Sequence, residues 1–324
     1  MRSQLSDRTD LRLCAHFAGG RLMAYRCLPT LAVALLLCVV ARTVSAHELA
    51  ENTLQPAWTF DPWIVTPICV VGVLYARGFL AIWRRAGRGR RVMLRRSICF
   101  WSGWLAIAGA LISPLHWLGE HLFLAHMIEH EILMTIAAPM IVLARPVGLL
   151  LWGLPASLRR STGRLMKANV IQISWRRLSA GLNATLLHGV VVWAWHAPVI
   201  FDAAITNVIL HRVQHFSFFF AAVLFWWAMC WRSNYGIAAW HLIVTMLHTS
   251  ALGALMALAP RALYFTQTRY TQAWHLSPLE DQQLAGIIMW VPAGTVYAGA
   301  ALAMVALWIS VSGRRSDHVQ PLRL

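Results

Sequence analysis

Two histidine pairs define the chemistry open to this sequence. His126 and His130 lie in HLFLAHMIEHEILMTIAAPMIVLARP (121–146), and His211 and His215 open HRVQHFSFFFAAVLFWW (211–227). Residues four apart share one face of a helix, so each pair aims both imidazoles at the same neighbour. Both stretches are apolar enough to lie in a membrane, where an ionisable side chain is costly and therefore a functional candidate. Imidazoles converging from two helices make a metal or haem site. Met127 and Met134 stand one turn from His130 in opposite directions and would add thioethers. Imidazole with thioether suits copper, the Cu(I) state in particular, over magnesium, calcium or manganese. The cysteines add nothing: Cys69, Cys99 and Cys230 are scattered, and Cys14, Cys27 and Cys38 all precede the apolar segments that carry the histidines.

The elements that must hold these groups are membrane helices. Of 324 residues 59% are hydrophobic and only 12% charged, with 17 tryptophans, a composition that identifies an integral membrane protein. The formal charge of +16 is gathered in short connections, where it orients helices and does not form a nucleic-acid surface. Arg26, the apolar run 28–41 and the small residues Val44-Ser45-Ala46 predict a cleavable signal peptide at 23–46, which would leave His47 first; an uncleaved helix is the alternative. Residues 1–46 are then extension and signal, 47–60 a short external segment, 61–311 an all-α membrane domain, and 312–324 a cytoplasmic tail.

Seven segments are long and apolar enough to span: 61–83, 97–115, 122–144, 180–197, 208–231, 237–259 and 284–309. The connections 84–96 and 145–179 carry seven basic residues each, which places both in the cytoplasm. The consistent topology is a seven-helix bundle with the mature N-terminus outside and the C-terminus inside. At a rise of about 1.5 Å per residue, His126 and His211 lie roughly 5–6 Å below the outer surface and His130 and His215 roughly 10–12 Å. The two pairs are level, and His196 in WAWHAP ends the fourth segment beside them, with His116, Glu120 and His121 in the short outer connection before the third. His188, His241 and His248 are expected to be helix-to-helix hydrogen-bonding groups. No nucleophile–base constellation and no phosphate-binding glycine loop is present, so an enzyme is not expected.

Three blocks resemble the signature segments of the CtaG family of multi-helix cytochrome c oxidase assembly factors: HMIEHEILMTIAAPMIVLARP (126–146), WHAPVIFDAAITNVILHRVQHFSFFFAAVLFWW (195–227) and LSPLEDQQLAGIIMWVPAG (276–294). The resemblance covers about residues 60–310. It implies a protein of the bacterial inner membrane that handles copper on the outer face. The partners it implies are haem-copper cytochrome oxidase subunits, membrane lipid and, upstream, periplasmic copper chaperones. The family pattern carries Gln where Glu129 stands and Glu where Gln214 stands. That exchange suggests that positions 129 and 214 face each other, with one carboxylate supporting an imidazole. Asp281 is expected either to cap the seventh helix or to attract a cation at the mouth of the cluster. A haem-binding membrane electron carrier and a copper permease remain as alternatives, the latter requiring polar groups that continue inward.

Overall fold

The computed structural model describes residues 56–84, 87 and 89–317. The expected signal peptide, with the extension before it, lies outside the described residues. The described residues fall into two compact units, one holding Phe60–Thr66, the other Pro56–Thr59 and the described residues from Pro67 onward. The core and the site belong to the second.

Every long element among the described residues is helical. In chain order these are α1 (Pro62–Trp83), α2 (Arg90–Leu111), the short α3 (Pro114–Gly119), α4 (Phe123–Ala144), α5 (Val147–Gly153), α6 (Ala156–Met166), α7 (Asn169–Leu178), α8 (Gly181–Trp195), α9 (Pro198–Thr206), α10 (Val208–Trp231), α11 (Tyr235–Ala257) and α12 (Pro278–Asp317). A 3-10 turn, Gln267–Trp274, lies in the connection before α12. A helix occupies each of the seven predicted segments. Five of them (α1, α4, α10, α11 and α12) are long and apolar enough to cross a membrane, and α7 with α8, bent by 74°, makes a sixth if the pair is one span. α2 falls outside that group because it starts earlier than the apolar pattern predicts, at Arg90, and takes four arginines into its first turns.

Local chemistry fixes the ends. Ser113 caps α3 through its hydroxyl, with Pro114 at the first helical position, where a missing N–H costs nothing. Asn207 and Asn234 cap α10 and α11 in the same way. Ser277 and Glu280 form a capping box at α12, each side chain accepting the other's backbone N–H. α4 contains a π turn, Ile132–Ala137, directly after His130 and Glu131. Pro139 follows it and has no N–H for the carbonyl one turn earlier, which is where wider turns are tolerated, and such turns recur at functional sites.

The core is aromatic and small-residue packing. Phe123, Phe201, Phe218, Phe225, Trp226 and Tyr297 are buried at its centre. α11 and α12 meet at Gly253 and Gly286, where an added Cβ would lie 2.8 Å and 2.5 Å from the opposite backbone, so only glycine permits the approach. The other faces of the helices expose apolar side chains such as Val73, Leu186, Phe216, Leu247 and Leu302, as lipid-facing surfaces do. α6 and α7 bury no residue and place arginines beside exposed leucine, valine and isoleucine, the composition of helices that lie along a membrane surface.

Candidate metal centre

One end of the bundle gathers the predicted histidines. On α4, His126 and His130 have ring centroids 4.3 Å apart; on α10, His211 and His215 are 4.6 Å apart. Across the helices His126 lies 5.3 Å from His211, and His130 lies 4.9 Å from His215. His196, the residue that ends α8, is 6.5 Å from His130. His126, His130, His196 and His215 are buried and His211 is half-buried.

Glu129 is fully buried and stands between the two helices and α3. Its Oε1 lies 3.0 Å from Nδ1 of His116, and its Oε2 lies 3.4 Å from Nε2 of His215 and 4.0 Å from Nδ1 of His126. Gly119 ends α3 directly against it: a Cβ there would sit 2.9 Å from the Glu129 carboxyl carbon. Gln267 donates to the Gly119 carbonyl and ties the 3-10 turn to the same corner. His116, Glu129 and His215 each offer a ligand atom, all within 4.8 Å of one another.

Hydrogen-bond logic sets the tautomers. The carbonyl oxygen of His211 can only accept, so Nδ1 of His215, 3.1 Å away, carries the proton. Nε2 of His215 is then a lone-pair nitrogen facing a carboxylate oxygen. His196 repeats the arrangement: its Nδ1 donates to the Val192 carbonyl at 2.7 Å, and its lone-pair Nε2 faces the Met127 thioether at 3.4 Å. Acceptor meets acceptor at both places, which is stable only with a proton or a cation between them. Both nitrogens of His126, both of His130 and Nε2 of His211 have no hydrogen-bond partner among the described residues. Nitrogen lone pairs with one thioether and one carboxylate form a donor set that fits a copper ion. The His116 contact shows the usual support for such a ligand, a ring N–H held by a carboxylate.

The remaining site residues fall as follows. Met134 is buried in the π turn, and its carbonyl accepts from Trp226 Nε1 at 2.9 Å. Gln214 is fully buried with neither amide atom hydrogen-bonded among the described residues. Asp281 does not cap its own helix. α12 starts earlier than its apolar run, at Pro278, so Asp281 lies within its first turn and reaches across to α4, accepting from Phe123 N at 2.8 Å and Leu124 N at 2.9 Å. It thus caps the helix that carries His126 and His130. Gln282 holds the connection, accepting from Leu263 N and donating to the Met256 carbonyl. That connection brings Tyr264, whose hydroxyl donates to the His196 carbonyl at 2.7 Å; burial, with Asp202 nearby, pushes the phenol up to about 12.

Sequence reasoning left His116 among the connection residues, yet it is buried against Glu129. Its signal was the short interval to Glu120 and His121 after a Ser-Pro helix start. Glu131 was missed as well; it is buried, and its Oε2 is unpartnered among the described residues.

The chain matches the family described as cytochrome c oxidase caa3 assembly factor (Caa3_CtaG) over residues 73–310. An uncharacterised protein of Mycobacterium leprae is 26% identical over 282 residues, which cover 81% of this chain and 40% of that protein. The chain therefore spans about two fifths of the length of the curated relative it matches. No solved structure matches it.

Proposed function

We propose, from the premise that this chain belongs to the cytochrome c oxidase caa3 assembly factor family, that it takes up Cu(I) as cargo at its histidine-rich end and supplies it to a maturing haem-copper oxidase. The observation that carries this reading is the pair of opposed acceptors, His215 with Glu129 and His196 with Met127, beside the unpartnered nitrogens of His126 and His130. A proton would satisfy either opposed contact but would leave the nitrogens of His126 and His130 without a hydrogen-bond partner among the described residues, whereas a metal ion uses them as ligands. Neutral imidazoles and one thioether also bind copper without the permanence of a thiolate cage, which suits transient carriage.

In this reading the bundle has seven spans in a bacterial inner membrane, with the histidine-rich end outside and the connections 84–96 and 145–179 inside. The site then opens toward periplasmic copper chaperones on one side and oxidase subunits in the bilayer on the other. The chain acts as an assembly factor and not as an enzyme. Reporter fusions at residues 90 and 165 should read cytoplasmic and fusions at 118 and 270 external; an external signal at 165 inverts the topology and removes the outer site. In cells lacking the protein, the intact chain should restore active oxidase and His130→Ala/His215→Ala should not. Full restoration by that variant ends the copper reading.

A further inference from the structure

Midway along the bundle a second pair of imidazoles meets, away from the cluster described above. His188 of α8 and His248 of α11 have ring centroids 6.1 Å apart. His188 is fully buried, and its Nε2 lies 3.3 Å from the Tyr297 hydroxyl on α12. Its Nδ1, both nitrogens of His248, and the hydroxyl of fully buried Thr245 one turn before His248 have no hydrogen-bond partner among the described residues. The Nε2 edge of His248 faces α8 at Gly189, where an added Cβ would lie 3.6 Å from it. Gly189 follows His188 in sequence, so His248 packs on α8 directly beside His188, at ordinary van der Waals distance.

Resting on the proposal that the protein carries copper, we propose that His188 and His248 form a second Cu(I) site at the middle of the membrane. A separation of 6.1 Å between centroids admits one ion in near-linear coordination between the two imidazoles, with metal–nitrogen bonds of about 2.0 Å on each side. His188 binds through Nδ1, and Tyr297 accepts its Nε2–H, the support that ligating histidines commonly have. His248 binds through Nε2. No carboxylate contacts either ring among the contacts described, so a divalent ion would leave twice the charge in hydrocarbon, at a solvation cost that rises with the square of the charge. Cu(I), monovalent and content with two ligands, is the ion this pair fits. His188 lies eight residues from His196 on one helix, so the second site is roughly 12 Å deeper than the first. On the far side, His241 of α11 and Thr185 of α8 continue the polar contacts at 3.0 Å.

The test counts Cu(I) on the full-length protein in detergent, by competition with a coloured Cu(I) chelator. The intact chain should hold one equivalent more than His188→Ala/His248→Ala, and the milder His248→Gln should lose the same equivalent. Equal copper in all three overturns the second site and leaves the outer cluster standing; no copper on the intact chain overturns both. If the double alanine variant fails to insert, a chain lacking the outer ligands (His116→Ala/His126→Ala/His130→Ala/His196→Ala/His211→Ala/His215→Ala) and loaded with one Cu(I) is measured by X-ray absorption. Two nitrogen neighbours and no sulfur are expected; a sulfur neighbour, or no retained copper, overturns the proposal.

Discussion

The two ends of this bundle use histidine in opposite ways. At the arginine-rich end His241 is half-exposed and shares a hydrogen bond with Thr185, which itself bonds back to the Gly181 carbonyl. Nearby, Arg232 donates to the Arg176 carbonyl and to Ser179. Each of these groups has a complementary partner, as helix-to-helix contacts in a membrane require. At the other end six imidazoles, those of His116, His126, His130, His196, His211 and His215, crowd within 6.5 Å of a neighbour, lone pairs face lone pairs, and five nitrogens lack hydrogen-bond partners among the described residues. A buried polar group without a partner costs about 1–3 kcal/mol. Residue type alone therefore does not mark a site; the imbalance of donors and acceptors does.

The strongest way to break that contrast is to remove ligands. His130→Ala/His215→Ala should lower Cu(I) affinity by more than about 100-fold, beyond what loss of a supporting group produces. Cell fractionation should still find the protein in the membrane, because no apolar face is lost. Glu129→Gln should weaken Cu(I) about 10- to 100-fold, since it leaves His116 and His215 without a carboxylate. Adding Gln214→Glu should recover much of that loss if positions 129 and 214 serve one site, and a double variant no better than the single separates them. Asp281→Ala removes two hydrogen bonds from the first turn of α4 and should cost about 0.5–2 kcal/mol of stability, read as a lower midpoint in detergent unfolding. His241→Ala should stay within about 0.5 kcal/mol of the parent and leave copper uptake unchanged. Copper loss in that last variant would erase the distinction between the two ends.

Sequence made the helices and both histidine pairs legible, because apolar runs and a four-residue interval are local signals. His116 was harder to read: it follows Pro114 in a six-residue helix too short to show a period. The partner of Asp281 is 158 positions away, and no local pattern announces a carboxylate on one helix capping another. The same limit hid the fit of Gly119 against Glu129. The π turn after Glu131 is a departure from the regular period, so a helical reading passes straight over it. The second imidazole pair stayed in the background because His188 and His248 belong to different helices and neither has a companion four residues away.

The central claim is that the histidine-rich end binds copper as cargo. Its most direct test is the metal and haem content of full-length protein purified from membranes, alongside His130→Ala/His215→Ala prepared identically. Bound copper is expected in the parent, a clear fall in the variant, and no haem absorption in either. A strong Soret band in the parent, or equal copper in the two proteins, would contradict it.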